Sequence, residues 1–171
     1  MRILAVRHGE AGDADDFARN GRPDHLRALT ARGRKRMWLA ARGIIRELPF
    51  IDVLATSSYV RTVQTAEILS LAYDNIAIQQ IAQLESSAPL APLIEWLAER
   101  PAGACITLVG HMPGLAHLVT NLICNRKTPA LKIKKGGACL ITFDGDLQPG
   151  KGMLTWLMDA AQLGKLGGWP D

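Results

Sequence analysis

Two apolar runs constrain the fold of this 171-residue chain more than any other feature. Ile3-Leu4-Ala5-Val6 opens the sequence and ends on Arg7-His8-Gly9. About a hundred residues later, Cys105-Ile106-Thr107-Leu108-Val109 ends on Gly110-His111-Met112-Pro113. Each run is too short for a helix and too continuously apolar for a strand with one wet face. Both therefore read as strands covered on two sides, as in a parallel sheet flanked by helices. Each delivers a histidine and a glycine at its carboxyl end.

The segments between and after these runs fit that frame. A polar, Asp- and Gly-rich stretch from Gly12 to about Arg27 reads as a loop. Thr30 is placed to cap a helix whose Met37, Ala41, Ile44, Ile45 and Leu48 recur at helical spacing, with Pro49 as its stop. Asp52 to Thr56 reads as a second strand, and Ser57 and Ser58 as caps for a helix from Tyr59 to about Ala72. A short strand at Ile76-Ala77-Ile78 and a helix carrying Leu90, Leu93, Ile94 and Leu97 follow. Beyond the second histidine, Pro113 suits a first helical turn, with Leu115, Leu118, Val119, Leu122 and Ile123 facing inward. Ala138 to Phe143 and Met153 to Met158, around a turn at Asp144-Gly145-Asp146, read as an antiparallel hairpin at one edge. Alternating strand and helix predicts a three-layer α/β/α sandwich with a mostly parallel sheet. Residues 1–171 read as one domain, with a loose Gly- and Lys-rich tail over 164–171.

Composition narrows the class. A net charge of +4 and a pI near 9.2 favour an anionic substrate or an acidic protein surface. The basic residues lack the aromatic interleaving of a nucleic-acid binder. Cys105, Cys124 and Cys139 form no CxxC pair and read as small buried hydrophobes in a reducing compartment. No apolar stretch approaches the ~20 residues of a membrane span, and Arg7 and His8 interrupt any signal-like run. The expectation is a cytoplasmic protein, monomeric for want of an apolar heptad or a long unpaired strand.

In open α/β sheets, ligands bind beyond the carboxyl ends of the strands. Arg7 and His8, then Ser57, Ser58 and Arg61, then His111 all fall there. Arg61 lies in the first turn of its helix, where free amides attract oxyanions. Four cationic or potentially cationic groups at three strand ends point to phosphoryl chemistry. An unprotonated His8 nitrogen would attack phosphorus, its other nitrogen donating to a fixed acceptor such as a backbone carbonyl. Arg7, Arg61 and His111 would neutralise the phosphoryl oxygens, with no metal or other cofactor required. His25 and His117 lack this context and read as structural or surface residues. Lys132, Lys134 and Lys135 read as a solvated edge, with a docking patch for an acidic partner as the alternative.

These motifs together resemble the histidine phosphatase superfamily, with its phosphoglycerate mutase-like fold. The resemblance rests on Arg7-His8-Gly9, on Leu29-Thr30-Ala31-Arg32-Gly33, on Ser57 to Glu67 and on Val109-Gly110-His111-Met112-Pro113, in that order along the chain. It implies His8 as the phosphorylated nucleophile and Arg7, Arg61 and His111 as phosphate ligands. Length and layout look most like the SixA-type phosphohistidine phosphatases. Only 49 residues separate Arg61 from His111, which leaves little chain for a lid and suits a side chain presented by another protein. Many superfamily members place a carboxylate acid in that interval. Here the candidate is Glu85, in a weakly matching context. A missing acid would penalise alkoxide leaving groups more than imidazole. The sequence therefore leads to a phosphohistidine phosphatase. A sugar-phosphate or other small phosphomonoesterase of the same mechanism, and a non-catalytic phosphoprotein-binding module, are the alternatives. A mutase is disfavoured because it needs an enclosed intermediate.

Overall fold

The computed structural model describes residues 1–168. Its elements run β1 (Arg2–Arg7), α1 (Ala14–Arg19), a 3-10 turn (Asp24–Leu26), α2 (Ala31–Glu47), β2 (Val53–Thr56), α3 (Val60–Ala72) and β3 (Ile78–Gln80). A second 3-10 turn (Ala82–Leu84), α4 (Leu90–Ala98), β4 (Cys105–Gly110), α5 (Gly114–Cys124), β5 (Ala138–Thr142), β6 (Met153–Met158) and α6 (Ala160–Leu166) follow. The six strands form one sheet in the order β3-β2-β4-β1-β5-β6. The first four are parallel, and β5 and β6 are antiparallel. This is the mixed α/β sandwich expected, with a phosphoglycerate mutase-like arrangement of strands and helices.

The side-chain alternation of β1 builds both cores at once. Leu4 and Val6 face a layer formed by α2, α3 and α6, through Met37, Ile44, Leu69 and Leu163. Ile3 and Ala5 face the layer of α4 and α5, through Leu93, Leu97, Leu118 and Leu122. Double coverage explains why β1 and β4 carry no polar alternation. Thr30 caps α2 by accepting from the Gly33 amide at 2.9 Å, as its position in the sequence requires.

Several local expectations are corrected. Ser57 and Ser58 do not cap α3, whose N-cap is Tyr59 without a side-chain bond. The strand expected at 76–78 lies two residues later, and Ile76 instead packs against the core. The polar loop after Gly12 contains α1, capped by Asp13. Ten residues, 143–152, join β5 to β6, far more than a tight hairpin turn needs. Cys105 and Cys139 are buried, but Cys124 is exposed.

The tail is the clearest departure. Residues 160–166 form α6, closed by a capping box between Asp159 and Gln162, and Leu163 and Gly164 are buried. A fully buried leucine contributes roughly 2 kcal/mol. Small residues permit close backbone approach: a Cβ at Gly43 of α2 would stand 2.0 Å from the Leu163 carbonyl oxygen. Residues 169–171 of the expected tail lie outside the described residues. Among the described residues no helix is long and apolar enough to cross a membrane.

Candidate active site

Strand register brings the two histidines together. β1 and β4 are parallel neighbours with Arg7 opposite Gly110, so His8 and His111 leave the sheet side by side. The His8 amide donates to the Gly110 carbonyl at 3.2 Å, and the two rings stand 5.3 Å apart, tilted by 57°. β2 flanks β4 on its other side, and the Ser57 amide reaches the Val109 carbonyl at 3.3 Å. This places Ser57 beside His111 and starts α3 at the same edge.

His8 is 5% exposed. Its Nδ1 lies 2.7 Å from the Gly9 carbonyl oxygen. A carbonyl only accepts, so Nδ1 carries the proton and Nε2 keeps its lone pair. This is the backbone acceptor anticipated for a nucleophilic histidine. The Gly9 amide is held at 3.0 Å by Thr65 Oγ1, which donates back to the Arg61 carbonyl at 2.7 Å. The loop carrying His8 is thus tied to the helix carrying Arg61. Burial pushes the His8 ring down to about 3, with the charges of His111, Arg61 and Arg7 adding to it and the Gly9 bond opposing. His8 is neutral wherever the protein is folded at moderate pH.

Arg7 donates through Nη1 to the Ile133 carbonyl at 3.0 Å. Arg61, 3% exposed, gives Nη1 to the Asp24 carbonyl and Nη2 to Asp24 Oδ2, both at 2.8 Å. Its guanidinium lies 4.8 Å from the Tyr59 ring centre. Burial lowers both guanidinium groups from their ordinary value, and Asp24 opposes this at Arg61. Burial raises the Asp24 carboxyl, but bonds from Arg27 and Arg61 outweigh it, so the net shift is downward. His111, 4% exposed, meets Ser57 Oγ through Nε2 at 2.8 Å. Burial, then the Arg61 charge, lowers it to about 4.

Among the described residues, five buried side-chain nitrogen or oxygen atoms lack a hydrogen-bond partner. Three of them are Arg7 Nε, Arg61 Nε and His111 Nδ1, and their residues line one cavity with His8. Unpaired buried polar atoms are costly and uncommon. Three on residues that line one cavity mark a place prepared for a polar guest. The cavity holds about 900 Å³, and Arg36, Lys132, Lys134 and Lys135 form part of its wall. The lysine run expected as a solvated edge therefore borders the site, with Lys134 paired to Asp159 at 2.9 Å.

The structure separates Glu85 from the other four candidates. Its Oε1 accepts from Ser58 at 2.8 Å, and it lines a different, apolar cavity that shares His111 with the first. His25 is exposed near the Tyr59 ring, and His117 bonds the Lys127 carbonyl. Sequence reasoning missed Asp24, Thr62 and Thr65 and misread Ser57. Thr65 had a signal, since it lies four residues from Arg61 on one helical face. Asp24 had none. Among the described residues no group of three or more His, Cys, Asp or Glu is arranged to hold a metal ion.

The histidine phosphatase superfamily (branch 1) profile matches residues 3–88, half of the chain. The chain belongs to this superfamily. It is a phosphatase by that membership, and its blocks at Arg7-His8-Gly9 and around Arg61 lie within the matched span. An uncharacterised protein of Picosynechococcus sp. is 31% identical over 139 residues, covering 80% of this chain and 82% of that one. Among solved structures, the protein histidine phosphatase SixA complexed with tungstate superposes with a TM-score of 0.80 at 23% identity, over 95% of this chain and 99% of that one. A phosphoserine phosphatase from Entamoeba histolytica, in complex with 3-phosphoglyceric acid, matches with a TM-score of 0.68 at 14% identity, over 95% and 98%. These two structural likenesses concern the fold.

Proposed function

We propose that this phosphatase removes a phosphoryl group from a protein histidine through a covalent intermediate on His8. The observation that carries the reading is the pairing of a held nucleophile with waiting donors. His8 Nδ1 is fixed on the Gly9 carbonyl, which leaves Nε2 unprotonated for in-line attack. Arg7 and Arg61 line the same cavity, and each keeps a buried Nε without a partner. Two charge-assisted donors of this kind stabilise the equatorial oxygens of a transferring phosphoryl group. Water then cleaves phospho-His8 and returns the neutral ring. His8, Arg7, Arg61 and His111 are the residues assigned to this chemistry. Glu85 is assigned at most to leaving-group protonation from across His111.

Three features favour a protein substrate. No residue of α4 lines the cavity. That helix instead packs Leu93 and Leu97 into the core beside α5. Between Arg61 and His111 only Ser86 reaches the cavity wall, so this stretch builds core rather than a lid. The cavity wall carries Arg36 and three lysines, suited to an acidic protein surface. The SixA fold likeness points the same way.

The test is a rapid quench with a phosphohistidine-bearing protein, read by mass spectrometry under conditions that spare acid-labile phosphate. The expected result is transient phosphate on His8, absent in His8→Ala. Faster turnover of a millimolar sugar phosphate than of the phosphorylated histidine domain would overturn the substrate class while leaving the mechanism. Retained phosphate binding with no turnover of either would make the chain a binding module.

A further inference from the structure

The protons around His111 can be placed by accounting for every short contact. Thr62 Oγ1 lies 2.7 Å from the Tyr59 carbonyl oxygen, 3.1 Å from the Ser57 carbonyl oxygen and 2.7 Å from Ser57 Oγ. Carbonyls only accept, and Thr62 has one hydroxyl proton. If that proton went to Ser57 Oγ, both contacts to carbonyl oxygens would be bare oxygen pairs. If it goes to the Tyr59 carbonyl, the back-bond that threonines make within helices, the gap to Ser57 is filled by the Ser57 hydroxyl. Ser57 Oγ then offers only lone pairs to His111 Nε2, 2.8 Å away. Nε2 must carry the proton. The chain reads His111 Nε2–H to Ser57 O–H to Thr62 O–H to the Tyr59 carbonyl, with a proton in each of its gaps; the Tyr59 amide takes the other Ser57 lone pair at 3.4 Å, and only the longer Thr62 contact to the Ser57 carbonyl, 3.1 Å, goes without one. Ser57 and Thr62 are fully buried, so solvent offers no alternative partner.

A neutral histidine has one N–H. Protonating Nε2 leaves Nδ1 as a bare acceptor, and it is the atom that is buried without a partner. We propose that Ser57 and Thr62 hold His111 as its Nε2–H tautomer, so that Nδ1 meets the bound phosphoryl group as an acceptor and the phosphoryl group must bring the proton. The second half of this inference rests on the phosphate reading of the cavity. A phosphoryl dianion would set lone pair against lone pair. A monoanion forms O–H···Nδ1 and can pass that proton across, one O–H bond breaking as one N–H bond forms. The products are a dianion and an imidazolium within the same pocket. Burial keeps unliganded His111 unprotonated down to about pH 4, so His111 has no proton of its own to offer.

The charges around the ring do not replace that proton. Arg7, Arg61 and Arg27 are cationic throughout, and Asp24 is ionised. Neutral His8 and the Tyr59 ring complete this side. Across the second cavity stand Glu85, His117 and Lys127. A phosphate monoester has its second pKa at about 6 and inorganic phosphate about a unit higher, so at pH 8 either is mostly dianion, and binding as the monoanion should draw close to one proton from solvent by linkage.

The test uses the full chain labelled with 15N. Proton–nitrogen correlation of the imidazoles at pH 7.5, without phosphate, is expected to show His111 protonated at Nε2. Thr62→Val, a change of similar size, removes the end of the wire and frees the Ser57 hydroxyl to donate to Nε2. It is expected to shift His111 toward Nδ1–H. Calorimetric titration with inorganic phosphate at pH 8, in two buffers of different ionisation heat, is expected to show uptake of about one proton by the parent and less than half of that by Thr62→Val. A parent His111 protonated at Nδ1 overturns the proposal outright. Phosphate binding without proton uptake overturns its second half. No phosphate binding at all overturns the phosphate reading of the cavity, and the tautomer result still decides the first half.

Discussion

Two glycines on one helix offer a controlled test of how the fold sets the nucleophile. A Cβ at Gly33 would stand 2.0 Å from the Glu10 carbonyl oxygen, and one at Gly43 would stand 2.0 Å from that of Leu163. Real Cβ atoms essentially never approach closer than 3.0 Å, so alanine at either site forces a backbone shift of about 1 Å. At Gly43 that shift falls on α6. At Gly33 it falls on Glu10, which accepts from the Thr30 amide at 3.0 Å and follows Gly9 directly. Moving Glu10 by about 1 Å drags the Gly9 carbonyl away from His8 Nδ1, a bond of 2.7 Å that a shift of this size stretches past hydrogen-bond range.

Overpacking costs about 1–3 kcal/mol and the gain in helix propensity returns up to about 1 kcal/mol. Both variants should therefore lose a similar, modest amount of stability, a few degrees in Tm. A displacement of about 1 Å at the reacting group costs on the order of 100-fold in rate. Gly33→Ala should lose that factor in kcat on a phosphohistidine domain, whereas Gly43→Ala should stay within about threefold. Urea melts and steady-state kinetics on the pair suffice. Gly33→Ala with full activity, or equal activity losses in both variants, would refute the claim that α2 sets the position of His8.

Further outcomes follow from the same geometry. His8 and His111 have folded values of about 3 and about 4 against an ordinary 6.5. Below pH 6.5 the unfolded chain binds protons that the folded chain refuses, so stability should fall as pH drops from about 6.5 to 4, by up to roughly 2.7 kcal/mol per pH unit for two groups. Urea midpoints that stay flat over that range would contradict the burial of neutral rings, and His8→Asn should halve the slope. Arg61→Lys keeps a charge but loses both the fork on Asp24 and the free Nε, and kcat/KM is expected to fall about 100-fold. Glu85→Gln should cost under about threefold on phosphohistidine and tenfold or more on an alkyl phosphate; equal, large losses on both would remove the case for an N–P substrate.

The parts of this molecule that could be read from its sequence are those in which a residue's own chemistry fixes its surroundings. β1 and β4 are apolar on both faces because both are covered. Thr30 announces α2 because an N-cap is a local event. Ser57 is opaque for the opposite reason. A serine between a strand and a helix satisfies the cap pattern equally well whether it turns toward the helix amides or toward a neighbouring strand. Only the register of β2 against β4 sends it to His111. The tail is hard to read because Gly164, Gly167 and Gly168 suggest looseness, whereas Gly164 is buried within α6 and a Cβ at Gly167 would stand 2.5 Å from the Leu39 carbonyl oxygen of α2. Asp24 bonds a residue 37 positions away, and nothing in its own neighbourhood signals that.

Two arginines and two histidines meet at the centre of a cavity already walled by Arg27, Arg36 and three lysines, which raises the question of why the empty site does not repel itself apart. Charging both buried rings beside two buried guanidinium groups would cost several kcal/mol per ion. The fold avoids this by keeping the imidazoles neutral, one tied to a carbonyl and the other to a hydroxyl wire, so of the four central groups only Arg7 and Arg61 bring fixed charge. Asp24 offsets Arg61, yet its side chain is 52% exposed. It therefore balances charge without filling the cavity, and it leaves both Nε atoms free. At the centre of the cavity a phosphoryl group meets the fixed charges of Arg7 and Arg61 and a proton acceptor, His111 Nδ1, beside the attacking His8 Nε2. An anion that carries a proton satisfies both kinds of partner at once, and a sulfate-like dianion without one does not. Selectivity between such anions thus follows from tautomers held by backbone and hydroxyl groups, more than from the number of cations in the pocket.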